Sequence, residues 1–291
     1  MASFPTIFST DSAKAAKASG FGYLNAIHYM APANSAGYGN LCVNASPQCI
    51  ALCLGIFSGQ AAMVADLENG TNAVRESRKN KARLFMHERA TYMNEMARGI
   101  VRIIAKAKRE SLTPCIRLNG STDITWERIR FRIDIKTAKA MGLPYLAGSE
   151  SNLLALFPSI QFVEYTKIPK RLNGAPTNLD LTLSYSANNS IACVEALQAG
   201  HNVAMVFADG LPESFAGFPV INGDLHDLRH LDAKGGYIVG LSPKGQKAKR
   251  DQSGFVVRWQ EASGQGLEIA WKTLRNLCPS HIGAIKRNLA A

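Results

Sequence analysis

Apolar and polar positions along this chain switch between a period of two and a period near four, and the switches divide it into elements. Phe21, Tyr23, Leu24, Ile27 and Tyr29 mark residues 21–30 as a strand, and the Pro, Asn and Gly crowded into residues 31–40 make the next segment a loop. From Val74 to Arg109 the positions Phe85, Tyr92, Met96, Ile100 and Ile104 recur in steps of seven or four, which predicts one long helix. Residues 114–118 read as a short strand, 126–141 as a helix and 191–199 as another. The runs 160–165, 179–185, 201–208 and 237–241 are rich in β-forming residues, with 218–221 a weaker one. Residues 255–259 look strand-like, and a helix is expected from Gly266.

Strands separated by helical segments predict parallel βα units. The expected fold is therefore α/β, a partial or complete βα barrel over residues 1–250, with residues 251–291 as a capping strand and helix. In a parallel sheet the loops leaving the C-terminal strand ends gather on one face, where ligands bind. Those loops would be the cysteine-bearing segment after the first strand, then residues 119–123, 164–167, 184–188, Asp209, 224–226 and 242–244.

Composition narrows the class. With 291 residues, 46% of them hydrophobic, the chain can bury a sizeable core without disulfides. Lys and Arg outnumber Asp and Glu by 33 to 22, a net charge of +11, which suits an anionic partner. Residues 74–110 hold eleven Lys/Arg against four Glu, so nucleic acid or a nucleotide is expected to dock on the 75–109 helix. Lys244, Lys247, Lys249 and Arg250 form a second basic cluster. The first residues do not read as a secretory signal, and the most apolar stretch, 49–65, is interrupted by Gly55, Ser58, Gly59 and Gln60. The expectation is a cytoplasmic protein without a membrane span, its six cysteines being thiols or metal ligands. No phosphate-binding P-loop, zinc-protease helix, serine-hydrolase elbow or dinucleotide turn occurs in the required context.

The most informative segment is residues 41–55, LCVNASPQCIALCLG, in which Cys42, Cys49 and Cys53 are spaced C-x6-C-x3-C. A helix starting near Pro47 would put Cys49 and Cys53 on one face, with Cys42 returning from the preceding loop. Three thiolates can hold three irons of a [4Fe–4S] cluster and leave the fourth open. Zinc is the alternative and would take a fourth ligand from Cys115, Cys193, Cys278 or a His. Simple packing of small apolar residues is the plainest reading. Farther on, GDLHDLRH brings Asp224, His226, Asp227 and His230 together, a spacing better suited to a structural polar network than to a metal. Glu164 and Lys167, on one strand end, could act as acid and base or as an ion pair.

The cysteine cluster, CIRLNGSTDITW, QFVEYTK, LTLSYS and INGDLHDLRHLDAKGGYIVGLSPKG occur in an order that resembles the phage "gene product 88" family. That resemblance implies a phage-encoded protein of the host cytoplasm. It carries no assigned activity, and Asp123 is the nearest equivalent of the acidic residue expected after the second strand. The order of parts is also similar to radical S-adenosylmethionine enzymes, although their common spacing is C-x3-C-x2-C. This second resemblance implies a cluster on Cys42, Cys49 and Cys53, with S-adenosylmethionine met by Asn119, Gly120, Ser121 and Ser184, and Asp123, Glu164, Lys167 and Asp224 as candidate catalytic groups. Two readings follow: a redox or radical enzyme acting on nucleic acid or a nucleotide, or a nucleic-acid-binding protein in which iron–sulfur or zinc only staples a loop.

Overall fold

Seven strands run parallel through the centre of the protein: β1 (Tyr23–His28), β2 (Thr113–Arg117), β3 (Gln161–Thr166), β4 (Leu179–Ser184), β5 (Val203–Phe207), β6 (Phe218–Asn222) and β7 (Ile238–Leu241). The computed structural model describes residues 6–11 and 13–277. The spatial order is β1, β2, β3, β4, β5, β7, β6, with the two-residue strands Phe8–Ser9 and Ser214–Phe215 antiparallel at the two edges. These edges do not pair, so the expected barrel is an open, mostly parallel α/β sheet. The exchange of β6 and β7 breaks the consecutive strand order that a simple βα progression predicts.

Alternation along the strands assigns the two faces. Leu24, Ala26, Ile116 and Phe162 pack into a core with Tyr92, Met96 and Ile100. Cys115 and Val163 turn the other way, against Leu228 and Ala18. Burying each large apolar side chain in these layers contributes roughly 1.5–3 kcal/mol.

The predicted long helix is two: Ala73–His87 and Arg89–Arg109, divided at Glu88, whose φ of −128° and ψ of 42° leave helical geometry. The helix expected over 126–141 is replaced by a single turn at Trp126–Arg128, a short strand at Phe131–Arg132 and the helix Ile135–Ala140. The cause is local: Trp126 is held by Asn119, and Asp134 caps a new helix by accepting from the Thr137 N–H at 2.6 Å. Near the C-terminus Val256–Val257 pairs with the end of β5, and the helix Ala262–Asn276 buries Trp271 in the core with Leu183, Val203 and Phe215.

Candidate functional site

The C-terminal ends of the parallel strands carry the cysteine segment. Ser46 caps the helix Pro47–Ala51, its hydroxyl accepting from the Cys49 N–H at 3.0 Å, and Pro47 opens the first turn. That helix stops at Ala51, and Cys53 is the N-cap of the next, Leu54–Phe57. Cys49 and Cys53 thus belong to consecutive short helices, a correction to the single helical face expected from their spacing. Cys42 Sγ accepts from the Ala33 N–H at 3.3 Å and lies 3.8 Å from Ser121 O, tying the cysteine loop to the loop after β2.

All three thiols are half-buried and free of disulfides. Burial pushes Cys42 up to about 11 and Cys53 up to about 12, and each is pushed further by charge on its cysteine neighbours. Cys49 is raised by burial too, with Lys167 pulling it back. Among the described residues no group of three His, Cys, Asp or Glu side chains is gathered tightly enough to hold a single metal ion. Of the fourth ligands considered for zinc, Cys115 is buried within β2, Cys193 lies in the helix Ser190–Gln198, and Cys278 is outside the described residues.

The other candidates form a closed lattice beside this segment. Glu164, fully buried, accepts from the N–H groups of Leu118 at 2.8 Å and Asn119 at 3.0 Å. Burial raises its pKa to about 7 against the pull of Arg171, Arg117 and those N–H groups. Asn119 Oδ1 accepts from Thr122, the Ile124 N–H and Trp126 Nε1 at 2.8, 3.0 and 2.9 Å, while its Nδ2 donates to Ile124 O. Asp123 accepts from Thr166 Oγ1 at 2.9 Å, the Lys167 N–H at 2.7 Å and Arg171 Nη1 at 3.2 Å. Arg171 also grips Glu127 through two contacts of 2.9 Å. Ser121 Oγ donates to Met30 O at 2.6 Å. A Cβ on Gly120 would lie 2.5 Å from His28 O, so only glycine fits the approach of this loop to β1. Asp224 accepts from the Ser242 N–H at 2.7 Å and pairs with Lys244 at 2.9 Å; these partners outweigh its burial and hold its carboxyl below the usual range. Lys167 is the exception in kind. Its ammonium donates only to uncharged oxygens, Ser184 Oγ and O and Tyr185 O, and burial pulls it below the ordinary lysine value while Cys49 and Cys193 hold it up.

The GDLHDLRH segment packs on the sheet face that carries Cys115 and Val163. Buried Asp227 receives Arg117 Nη1 at 2.8 Å and the Tyr165 hydroxyl at 3.1 Å, and Arg229 pairs with Asp232 at 3.3 Å. His230 packs its ring against Tyr23, and His226 against Phe21. It is a polar network, as its spacing suggested.

A cavity of about 820 Å³ opens next to the cysteines, between the ends of β1, β2 and β7, the segment that follows Cys53 and the helix Ala73–His87. Here the basic run divides. Arg83, Arg98, Arg102 and Lys106 are paired with Glu88, Glu95, Asp134 or Glu110. Arg75, Arg78 and Lys81, three residues apart on the first helix, turn inward. Arg75 donates to the carbonyls of Ala61, Gly70, Ile56 and Leu67, holding the 55–70 segment in place. Arg78 donates to Gly55 O and lies 4.8 Å over the Tyr29 ring. Lys81 and Arg171 escaped attention in the sequence. The spacing of Arg75, Arg78 and Lys81 was a visible signal; nothing local marks Arg171.

The family model of gene product 88 matches residues 6–259, and the chain belongs to that family. No curated protein and no solved structure matches it. Among the described residues no helix is long and apolar enough to cross a membrane.

Proposed function

We propose that this gene product 88 family member is an iron–sulfur redox enzyme, with Cys42, Cys49 and Cys53 as ligands of a [4Fe–4S] cluster at the mouth of the open sheet. One observation carries the reading: Arg78 beside Cys53 and Lys167 beside Cys49 donate hydrogen bonds only to uncharged oxygens among the described residues, Lys167 being drawn by the Asp123 carboxylate from beyond hydrogen-bond reach. A half-buried cation next to a neutral thiol is uncompensated; next to a thiolate it is matched. The donor set suits this group, since three soft sulfurs leave one iron position for a further ligand.

When bound, the cluster would supply one electron to a ligand at its open iron. S-adenosylmethionine is the cofactor we assign there, and a nucleotide or nucleic acid the substrate class. The chain's own part is positional. Asn119 and Gly120 shape the loop facing the cysteines, Glu164 fixes that loop's backbone, and Asp123 and Ser184 set Lys167 by its N–H and its ammonium.

Anaerobic reconstitution with ferrous iron and sulfide is the test. About four irons per chain are expected, with a broad visible absorption that Cys49→Ser removes. Reduced protein is expected to convert S-adenosylmethionine to 5′-deoxyadenosine. A colourless protein that takes up only zinc overturns the cluster and favours a stapled loop. A loaded cluster without cleavage overturns the cofactor assignment alone.

A further inference from the structure

The cavity beside the cysteines has a charge imbalance of its own. Lys81, 8% exposed, lines it, and among the described residues its ammonium meets only the carbonyl of Ile7, at 3.4 Å. Arg78, one turn back on the same helix face, lines it as well and has no carboxylate partner among the described residues. The other two cations on the wall, Arg117 and Lys244, are neutralised by Asp227 and Asp224. One carboxylate, exposed Asp11, reaches the rim, and its partner is Thr10. Burial together with Arg78 pulls Lys81 down to about 8, the mark of a cation that lacks an anion.

We infer that this cavity binds the phosphate of a phosphorylated small molecule, with Lys81 and Arg78 as its anchors. Two adjacent positive charges match a dianion better than a carboxylate, and a guanidinium beside an ammonium offers the fork and the point charge by which phosphates are held. The volume of this half-open cavity, about 820 Å³, is that of a small-molecule site. A polyanion would read an exposed face instead, whereas Lys81 is buried and lines the cavity with Arg78. Lys81 carries the inference apart from the cluster; Arg78 lies beside Cys53 and is shared with that reading, so phosphate binding is measured on the metal-free chain.

The test uses the full-length, metal-free chain, so that its outcome is separate from that of iron loading. Calorimetric titration with inorganic phosphate and with adenosine monophosphate is expected to show saturable binding of both, while adenosine binds at least about tenfold more weakly than its monophosphate. Lys81→Met is expected to weaken phosphate by about tenfold or more, Lys81→Arg to keep it within a few-fold, and Arg83→Ala, on the same helix, to change nothing. A wild-type readout stands beside these: phosphate is expected to protect Lys81, but not exposed Lys79, from acetylation mapped by mass spectrometry. Absence of saturable phosphate binding overturns the inference. So does equal affinity in folded Lys81→Met, or, should that variant fail to fold, acetylation of Lys81 unaffected by phosphate.

Discussion

Two regions of this protein bury charge at the same end of the same sheet, and they do so in opposite ways. In the lattice around Glu164, Asn119, Asp123 and Arg171 every charged group meets its counterpart or a backbone dipole, so the network closes on itself. Around the cysteines and the cavity beside them, Lys167, Arg78 and Lys81 donate hydrogen bonds only to neutral oxygens among the described residues. The closed region holds two of the catalytic candidates, Asp123 and Glu164, yet their polar atoms are occupied by holding loops in place. The open region is where charge still lacks a counterpart. A buried polar group that is fully satisfied specifies structure, whereas one left without its opposite marks the place for something the chain does not contain.

The strongest way to break this contrast is to open the closed network. Arg171→Met strands Asp123 and Glu127 without their shared guanidinium, and a loss of about 3–5 kcal/mol is expected in urea unfolding. An effect below about 1 kcal/mol would mean that the network is no more closed than an exposed ion pair. Asn119→Ala removes the acceptor from Thr122, Trp126 and the Ile124 N–H, and is expected to cost about 2–3 kcal/mol by the same measurement.

Acid titration probes the floor beneath both regions. His28 is buried at the end of β1, donating from Nδ1 to Leu118 O and accepting the Tyr92 hydroxyl at Nε2; burial and Lys81 lower its pKa to about 3. Below pH 6.5 the unfolded chain takes up a proton that the folded chain refuses until about pH 3. Stability attributable to this group therefore falls by about 1.4 kcal/mol per pH unit as pH drops through that window. Glu164 acts with the opposite sign: its raised folded pKa, about 7, makes stability fall as pH rises from 4.5. The comparison of wild type with His28→Gln isolates the histidine limb, and the variant is expected to lose less stability on acidification. Parallel curves would show that His28 does not titrate as its burial dictates.

The smallest stability effects are expected in the open region. Cys49→Ser should change metal-free stability by less than about 1 kcal/mol in chemical denaturation while removing iron binding, because the thiol's main partners are absent from the metal-free chain. Lys81→Met should leave melting unchanged to within about 0.5 kcal/mol or raise it, since it replaces an uncompensated cation by a chain of similar length. A large loss in that variant would make Lys81 part of the closed network after all.

Local pattern carried the strands and their parallel direction, because runs rich in β-forming residues such as Gln161–Thr166, separated by helical segments, are buried in parallel βα units. It failed where a distant partner decided the outcome. Trp126 leaves the predicted helix because its indole N–H is held by Asn119, and the basic helix breaks at Glu88 with no Gly or Pro to announce it. The cysteine triad was legible as a cluster in sequence, but the split of Cys49 and Cys53 between two short helices was not, since their spacing is equally that of one turn. Arg171 could not be found at all: a loop arginine is ordinarily solvated, and only its burial between Asp123 and Glu127 gives it a role.

By itself, then, the amino-acid order determined the parallel α/β class, the strand ends that face the site, three cysteines held close in the chain, and the basic stretch between the first two strands. Tertiary structure alone decided that the sheet stays open with β6 outside β7, that Asp123, Glu164 and Asn119 serve one another, and that Arg78 and Lys81 turn into a cavity rather than toward solvent. The reason is physical: period and propensity act between near neighbours, while the pairing of charges is settled by what folding brings within a few ångströms from far along the chain.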